Sequence, residues 1–312
     1  MGGSTAHPGG ATRDAVVESG VLVVGAGALF GLDPATGAVR WRFAPLGNFV
    51  AGGFLLSAAN GLVYAGSSGG PGLLYGVDVQ TGRARWTATL PLTVGPGETV
   101  AVYDPVFAGG RVYASYTHFR RDSNTGRALD GRGGAVAVDA ATGAVVWHYP
   151  FPSPNGLSTS ADVGLAADST TVLATAIDKS VRALDPATGQ VRWSVPGVSP
   201  TGTYSLGFRP VALGAGLAAV GDPDGGVTLY RAADGSRLWY QNVQLGSALS
   251  LAVDARDVYL TTLGGQLSAE SAAGGSTAWA FRDAASFLPP PRPAGDVLYA
   301  TGGQGLAAIR AR

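Results

Sequence analysis

Asp104, Tyr116 and His118 place a carboxylate, a phenol and an imidazole within one short stretch, and Arg209 adds a guanidinium further on. Side chains of these kinds can move a proton or stabilise a developing negative charge. Aromatic residues on proline-rich links join them as candidate ligand contacts: Phe49, Tyr103, Phe151, Tyr204, Phe208 and Phe287, with Asp162 and Arg292 as polar companions. Aromatic walls with few polar groups suit a largely apolar small molecule, oriented by a handful of hydrogen bonds. The chemistry open to this set is cyclisation or isomerisation of an apolar substrate without a cofactor. The same rings can also simply pack loops. Arg120, Arg121, Arg127 and Arg132 fit a solvated loop face as well as a carboxylate clamp.

Other motifs reduce to turns. Val23-Val24-Gly25-Ala26-Gly27-Ala28-Leu29-Phe30-Gly31 resembles a dinucleotide fingerprint, but Phe30 stands where the third glycine belongs. A turn, Asp33-Pro34-Ala35-Thr36-Gly37, follows it where the fingerprint needs a helix N-terminus. Asp122-Ser123-Asn124-Thr125-Gly126 with Asp130 hints at a calcium loop, yet its twelfth position is Gly133 rather than an acid, and Asp222-Pro223-Asp224-Gly225 is shorter still. The three histidines are His7, His118 and His148; His148 falls on an outer strand, and only His118 adjoins an insertion, so no metal site is expected.

Composition narrows the classes. The chain has 312 residues, 13% charged, with formal net charge +0, which speaks against a nucleic-acid partner. With Cys 0 it can form neither a disulfide nor a zinc–thiolate site. Lys179 is its single lysine, an arginine bias that fits a high-GC genome such as an actinobacterium's. No apolar run is long enough to span a membrane, and the start lacks the apolar core of a signal peptide. A native Met1 would mean a cytoplasmic protein, and an excised domain an extracytoplasmic one.

The elements that must position these residues are written as a repeat. Leu32-Asp33-Pro34-Ala35-Thr36-Gly37 with Trp41 returns around Asp78, Asp139 and Asp185, each followed by Thr-Gly and a tryptophan. Two worn copies lead to Trp239 and Trp279, so all 6 tryptophans share one slot, recurring at intervals of about 45 residues with one wider gap. Within a unit the apolar pattern has period two, as in Leu62-Val63-Tyr64-Ala65 and Leu73-Leu74-Tyr75-Gly76-Val77. The aspartate suits a turn that accepts backbone N–H groups two and three residues on, and the glycine suits the left-handed position. The tryptophan would then lie over the neighbouring unit and bury apolar area between units.

Four short strands per unit give an all-β chain: a seven-bladed β-propeller of four-stranded antiparallel blades. The last blade is expected to be incomplete or closed by the N-terminal arm. Residues 1–14 read as a flexible arm and 15–312 as one propeller domain, expected to be a monomer. The units, Gly72–Trp86 and Val181–Trp193 above all, resemble the PQQ-like (quinoprotein) propeller repeat, Leu-Tyr-Ala-Leu-Asp-x-x-Thr-Gly-x-x-x-Trp. The PQQ dehydrogenases of that family imply calcium ligands, an aspartate base and often adjacent cysteines. This chain lacks a recognisable set of these, so no cofactor is expected. The resemblance implies either a cofactor-free enzyme binding an apolar small molecule or a non-catalytic scaffold or sensor propeller with a protein partner. A site is expected on the loop face that carries the insertion Phe119–Gly133.

Overall fold

A computed structural model describes residues 15–25, 27–44, 56–68, 70–122, 124–125, 128–152, 164–175, 180–196, 210–221, 226–242, 248–262, 265–282, 290–294, 297–302 and 305–310. These residues form β-strands and no helix, so no described helix is long and apolar enough to cross a membrane. The chain divides into two compact units, Met1–Ala161 and Asp162–Arg312.

The first unit holds three antiparallel sheets of four strands each. β1 (Ala15–Glu18), β2 (Val21–Gly25), β3 (Leu29–Leu32) and β4 (Val39–Phe43) make the first. β5 (Ser57–Ala59), β6 (Leu62–Gly66), β7 (Leu73–Asp78) and β8 (Ala84–Thr89) make the second. β9 (Glu98–Ala108), β10 (Arg111–Arg121), β11 (Ala128–Asp139) and β12 (Val145–Pro150) make the third.

The second unit holds three four-stranded sheets and one of three strands. Its strands are β13 (Leu165–Ala167), β14 (Val172–Thr175), β15 (Ser180–Leu184) and β16 (Val191–Pro196), then β17 (Val211–Gly214), β18 (Leu217–Gly221), β19 (Gly226–Arg231) and β20 (Arg237–Asn242). β21 (Ala248–Val253), β22 (Asp257–Thr262), β23 (Gln266–Ser271) and β24 (Thr277–Arg282) follow, and β25 (Arg292–Ala294), β26 (Val297–Gly302) and β27 (Gly305–Arg310) form the last sheet. In every sheet the strands are adjacent in chain order. This is the blade connectivity of a β-propeller, with seven blades among the described residues. The N-terminal arm lies outside them.

The repeated phrase does what its chemistry suggests. Asp78 Oδ1 accepts from the backbone N–H of Gln80 and of Thr81, both at 3.0 Å, and from the Thr81 hydroxyl. Asp139 and Asp185 repeat the arrangement. The glycine N–H closes each turn on the aspartate carbonyl, as Gly82 does on Asp78 at 2.8 Å. The carboxylate's second oxygen meets an arginine on the outer strand: Arg40 with Asp33, Arg85 with Asp78, Arg192 with Asp185. The Arg40 guanidinium beside Asp33, with the turn N–H groups, holds that carboxyl down at about 2.

The core lies in the seams between neighbouring sheets of a unit. Val21, Val23 and Leu29 of the first sheet close against Val63, Leu73 and Val77 of the second. In the second unit Leu229 meets Leu251 and Leu260 in the same way. The tryptophans fasten these seams. Trp41 Nε1 donates to the Val79 carbonyl at 2.7 Å, Trp86 to Ala140, Trp193 to Ala232 and Trp239 to Ala272, always one sheet onward and one residue into the next turn. Each of these rings also covers the turn glycine of that next sheet: Gly82, Gly143, Gly235 and Gly275. Burying a large ring while satisfying its N–H gives these contacts both area and direction.

Candidate functional site

The third sheet gathers most of the described candidates, and its shape differs from expectation. The insertion Phe119–Gly133 is expected to be a loop; instead it lengthens a hairpin. β10 and β11 continue their ladder to Arg120↔Leu129 and Arg121↔Ala128, and β9 runs beside them to Arg120↔Glu98. Backbone groups that an open loop would leave to solvent are paired here. The alternation Tyr116-Thr117-His118-Phe119 carries a strand because both neighbouring segments extend to match it.

A bulge sets the faces of this sheet. Tyr113 pairs with Val106 but Ser115 pairs with Tyr103, so Asp104 and Pro105 together oppose Ala114. Asp104 takes a left-handed φ of 46°, and Pro105 falls where a missing N–H is tolerated. Asp104 thus shapes the backbone of β9. The extra residue also turns Tyr103 onto the face of Ser115 and Thr117, where the Thr117 hydroxyl donates to the Tyr103 hydroxyl at 3.3 Å.

Tyr116 and His118 lie on the opposite face, toward the seam with the second sheet. Tyr116 is 2% exposed and packs with Val100, Val102, Val136, Tyr64 and Trp86. Its hydroxyl is 2.6 Å from His148 Nε2, with the two rings tilted at 35°. Gly134 makes room for this crossing, because a Cβ there would lie 2.5 Å from the Tyr116 ring and from the Tyr149 carbonyl. Burial raises the Tyr116 phenol above its usual range and lowers the His148 imidazole, so a neutral phenol meets a neutral ring. Next along the strand, His118 Nε2 is 2.8 Å from Glu98 Oε2. Glu98 is held below the usual carboxylate range, first by the Gly95 N–H at 2.7 Å and then by His118. Arg132 reaches its other oxygen at 3.9 Å.

The sheet therefore brings Tyr116 and His118 together and sets Tyr103 and Phe151 behind them. Phe151 is buried, meets Tyr149 edge-on at 5.7 Å and prolongs the ladder through its N–H to the Gly133 carbonyl. Arg292 lies on the three-stranded sheet, exposed. Phe49, Asp162, Tyr204, Phe208, Arg209 and Phe287 lie outside the described residues. Asp122 serves as a turn acceptor for Asn124 and Thr125. Two members of the cluster, Glu98 and His148, escape the sequence reading. His148 is expected on an outer strand, far from any axial pocket; it is on that strand, and its ring meets the Tyr116 hydroxyl. The signal was Gly134, the small residue between the two strands that lets the phenol pass.

Chemically, phenol–imidazole and imidazole–carboxylate pairs are parts of proton relays. Here each pair is internal to the sheet, and His118 keeps only 5% of its side chain exposed. The cluster also has a pH signature. An unfolded His148 titrates near 6.5, while the folded ring resists protonation. The stability this contributes is full above that value and is lost as pH falls through the lowered folded value. Melting temperatures between pH 7.5 and 5 should therefore fall more steeply for the native protein than for His148→Phe, and parallel curves would refute the assignment.

A family model described as outer membrane protein assembly factor BamB matches residues 3–174 and 223–312. Among solved structures, BamB from Moraxella catarrhalis is similar, with 16% identity, 96% of each chain covered and a TM-score of 0.54. The computationally designed Ika8 protein is similar too, with 16% identity, 98% of this chain and 97% of that chain covered, and a TM-score of 0.53. No curated protein matches in sequence. The structural likenesses, at this identity, speak for the fold alone.

Proposed function

The chain belongs to the outer membrane protein assembly factor BamB family, and from that premise we propose that it is a non-catalytic propeller that holds a protein partner. The observation that supports this reading is the placement of the best proton-transfer groups. Tyr116 and His118 are buried in a seam and committed to His148 and Glu98. They brace strands of the third sheet rather than face a substrate. The family's printed name concerns outer-membrane protein assembly, so the partner class to look for is another protein.

The test is native purification. A tagged copy isolated gently from its source should co-purify with a stoichiometric protein, and native mass spectrometry should show no retained small molecule. A retained apolar molecule without any protein partner would overturn this reading. It would favour the cofactor-free cyclase or isomerase, with the aromatic loop residues as its pocket.

A further inference from the structure

We propose that Asn60-Gly61 is a latent modification site, whose deamidation to aspartate and isoaspartate is held back by Glu18 and proceeds when the seam between the first two sheets opens. The inference is independent of the scaffold reading. Every residue it uses lies in the first unit.

The chemistry begins with the sequence. An asparagine followed by glycine cyclises readily, because no side chain on the second residue shields its nitrogen. The Gly61 nitrogen gives its proton to solvent base and attacks Cγ of Asn60. A C–N bond forms, the bond from Cγ to the side-chain nitrogen breaks, and ammonia leaves with a proton returned by solvent. Water then opens the cyclic imide at either carbonyl. One product is aspartate; the other is isoaspartate, in which the main chain runs through the β-carbon. Nothing is oxidised or reduced.

The fold places this pair at a turn. Asn60 and Gly61 are the central residues of the β5–β6 hairpin, between the paired Ala59 and Leu62, with φ of 56° and 75°. Ser19-Gly20, Gly109-Gly110 and Ala215-Gly216 make the same left-handed two-residue turn in other sheets. Of these four turns, only that of the second sheet carries a side-chain amide. Asn60 is exposed, and a Cβ on Gly61 would meet nothing within 4 Å, so water and base reach the reacting atoms.

Two features hold the reaction back. A left-handed residue has ψ near about +47°, which sets the next nitrogen on the far side of the Cα–C bond from Cβ, and ring closure needs that bond turned by roughly half a revolution. The second feature is Glu18 of the first sheet, whose Oε1 accepts the Gly61 N–H at 3.0 Å. Turning the peptide breaks this bond, and a carboxylate beside the nitrogen opposes the negative charge that deprotonation puts there. The same oxygen accepts from the Ser19 hydroxyl at 2.8 Å, and Gln80 Nε2 holds the Ser19 carbonyl at 2.7 Å, so the guard is part of the tie between the two sheets. Once the tie opens, the change is one-way. Either product adds a negative charge to the turn that Glu18 contacts, and isoaspartate lengthens a two-residue turn on which the Ala59↔Leu62 register depends.

Peptide mapping of the full chain, aged in mildly alkaline buffer below its melting transition, tests this. Mass spectrometry reads the conversion of Asn60, and isoaspartyl methyltransferase reads the isomer. Tryptic cleavage at Arg42 and Arg83 separates Asn60 from the chain's other such pair, Asn155-Gly156. The folded chain should convert Asn60 more slowly than the urea-unfolded chain. Glu18→Ala should speed the folded chain by about tenfold, the scale of one hydrogen bond to a charged acceptor. Glu18→Gln keeps an acceptor and removes the charge, so its rate should fall between the two. Gln80→Ala loosens the same tie without touching the Gly61 N–H and should leave the rate near native. Equal folded and unfolded rates, a rate unmoved by Glu18→Ala, or an equal acceleration by Gln80→Ala would each overturn the assignment.

Discussion

Trp86→Ala should destabilise the protein by about 3–5 kcal/mol, the usual range for deleting a large buried aromatic ring. Trp86 is 8% exposed, stacks on Tyr64 at 6.0 Å and lies against Gly143 of the next sheet. Its indole N–H donates to the Ala140 carbonyl at 3.0 Å. Truncation empties the seam between the second and third sheets and strands that carbonyl. Trp86→Phe separates the two contributions. It keeps most of the ring and loses the N–H, so it should recover more than half of the loss, given a net hydrogen-bond worth of about 1 kcal/mol. Urea unfolding followed by far-ultraviolet circular dichroism reads both. Trp193→Ala should behave alike in the second unit, where Trp193 donates to Ala232 and covers Gly235. If either alanine variant lost partner binding while unfolding at the native urea concentration, the tryptophans would belong to a binding surface and not to the seams.

Gly143→Ala should cost about 2–5 kcal/mol, well above what backbone conformation alone demands. Gly143 and Gly37 close equivalent turns with φ of 74° and 71°. Either substitution forces an alanine into the left-handed region, at about 1–2 kcal/mol. The difference lies overhead. A Cβ at Gly37 meets nothing within 4 Å, whereas one at Gly143 would sit 2.7 Å from the Trp86 ring. Displacing a docked ring adds an overpacking cost of about 1–3 kcal/mol. Gly37→Ala is the internal control, and the gap between the two variants in urea midpoint measures ring docking. Equal costs would mean that the glycine serves only the turn. Combined with Trp86→Ala, the Gly143→Ala penalty should shrink toward the Gly37→Ala value, because the ring it displaces is gone.

The sequence reading recovers the architecture because its determinants are local. An aspartate that accepts from N–H groups two and three residues on needs no distant partner, so Asp33, Asp78, Asp139 and Asp185 announce their turns. Period-two apolar strands between such turns leave few alternatives to a blade, and a tryptophan at a fixed distance marks the outer strand. The second reason for the turn glycines was not legible in the same way. It depends on a ring arriving from the preceding sheet, which the spacing allows but does not compel.

The candidate site was less legible, because it depends on register. Tyr116, His118 and Tyr103 look like neighbours in the chain, yet the Asp104-Pro105 bulge and strand alternation put Tyr103 on the other face. Glu98 looks like part of a link until β9 extends to meet β10, and His148 looks remote until Gly134 lets a phenol through. A one-residue offset moves a side chain through the thickness of a sheet, and no local signal fixed that offset here.

By itself, then, the chain's sequence determined its turns, its strands and its seven repeats, through hydrogen bonds and alternations that close within a few residues. Tertiary structure alone decided that His118 meets Glu98 and that Tyr116 meets His148. The reason is that a side chain's face and its partners are supplied by other strands, whose register is set by the whole sheet and not by the residues next to it in the chain.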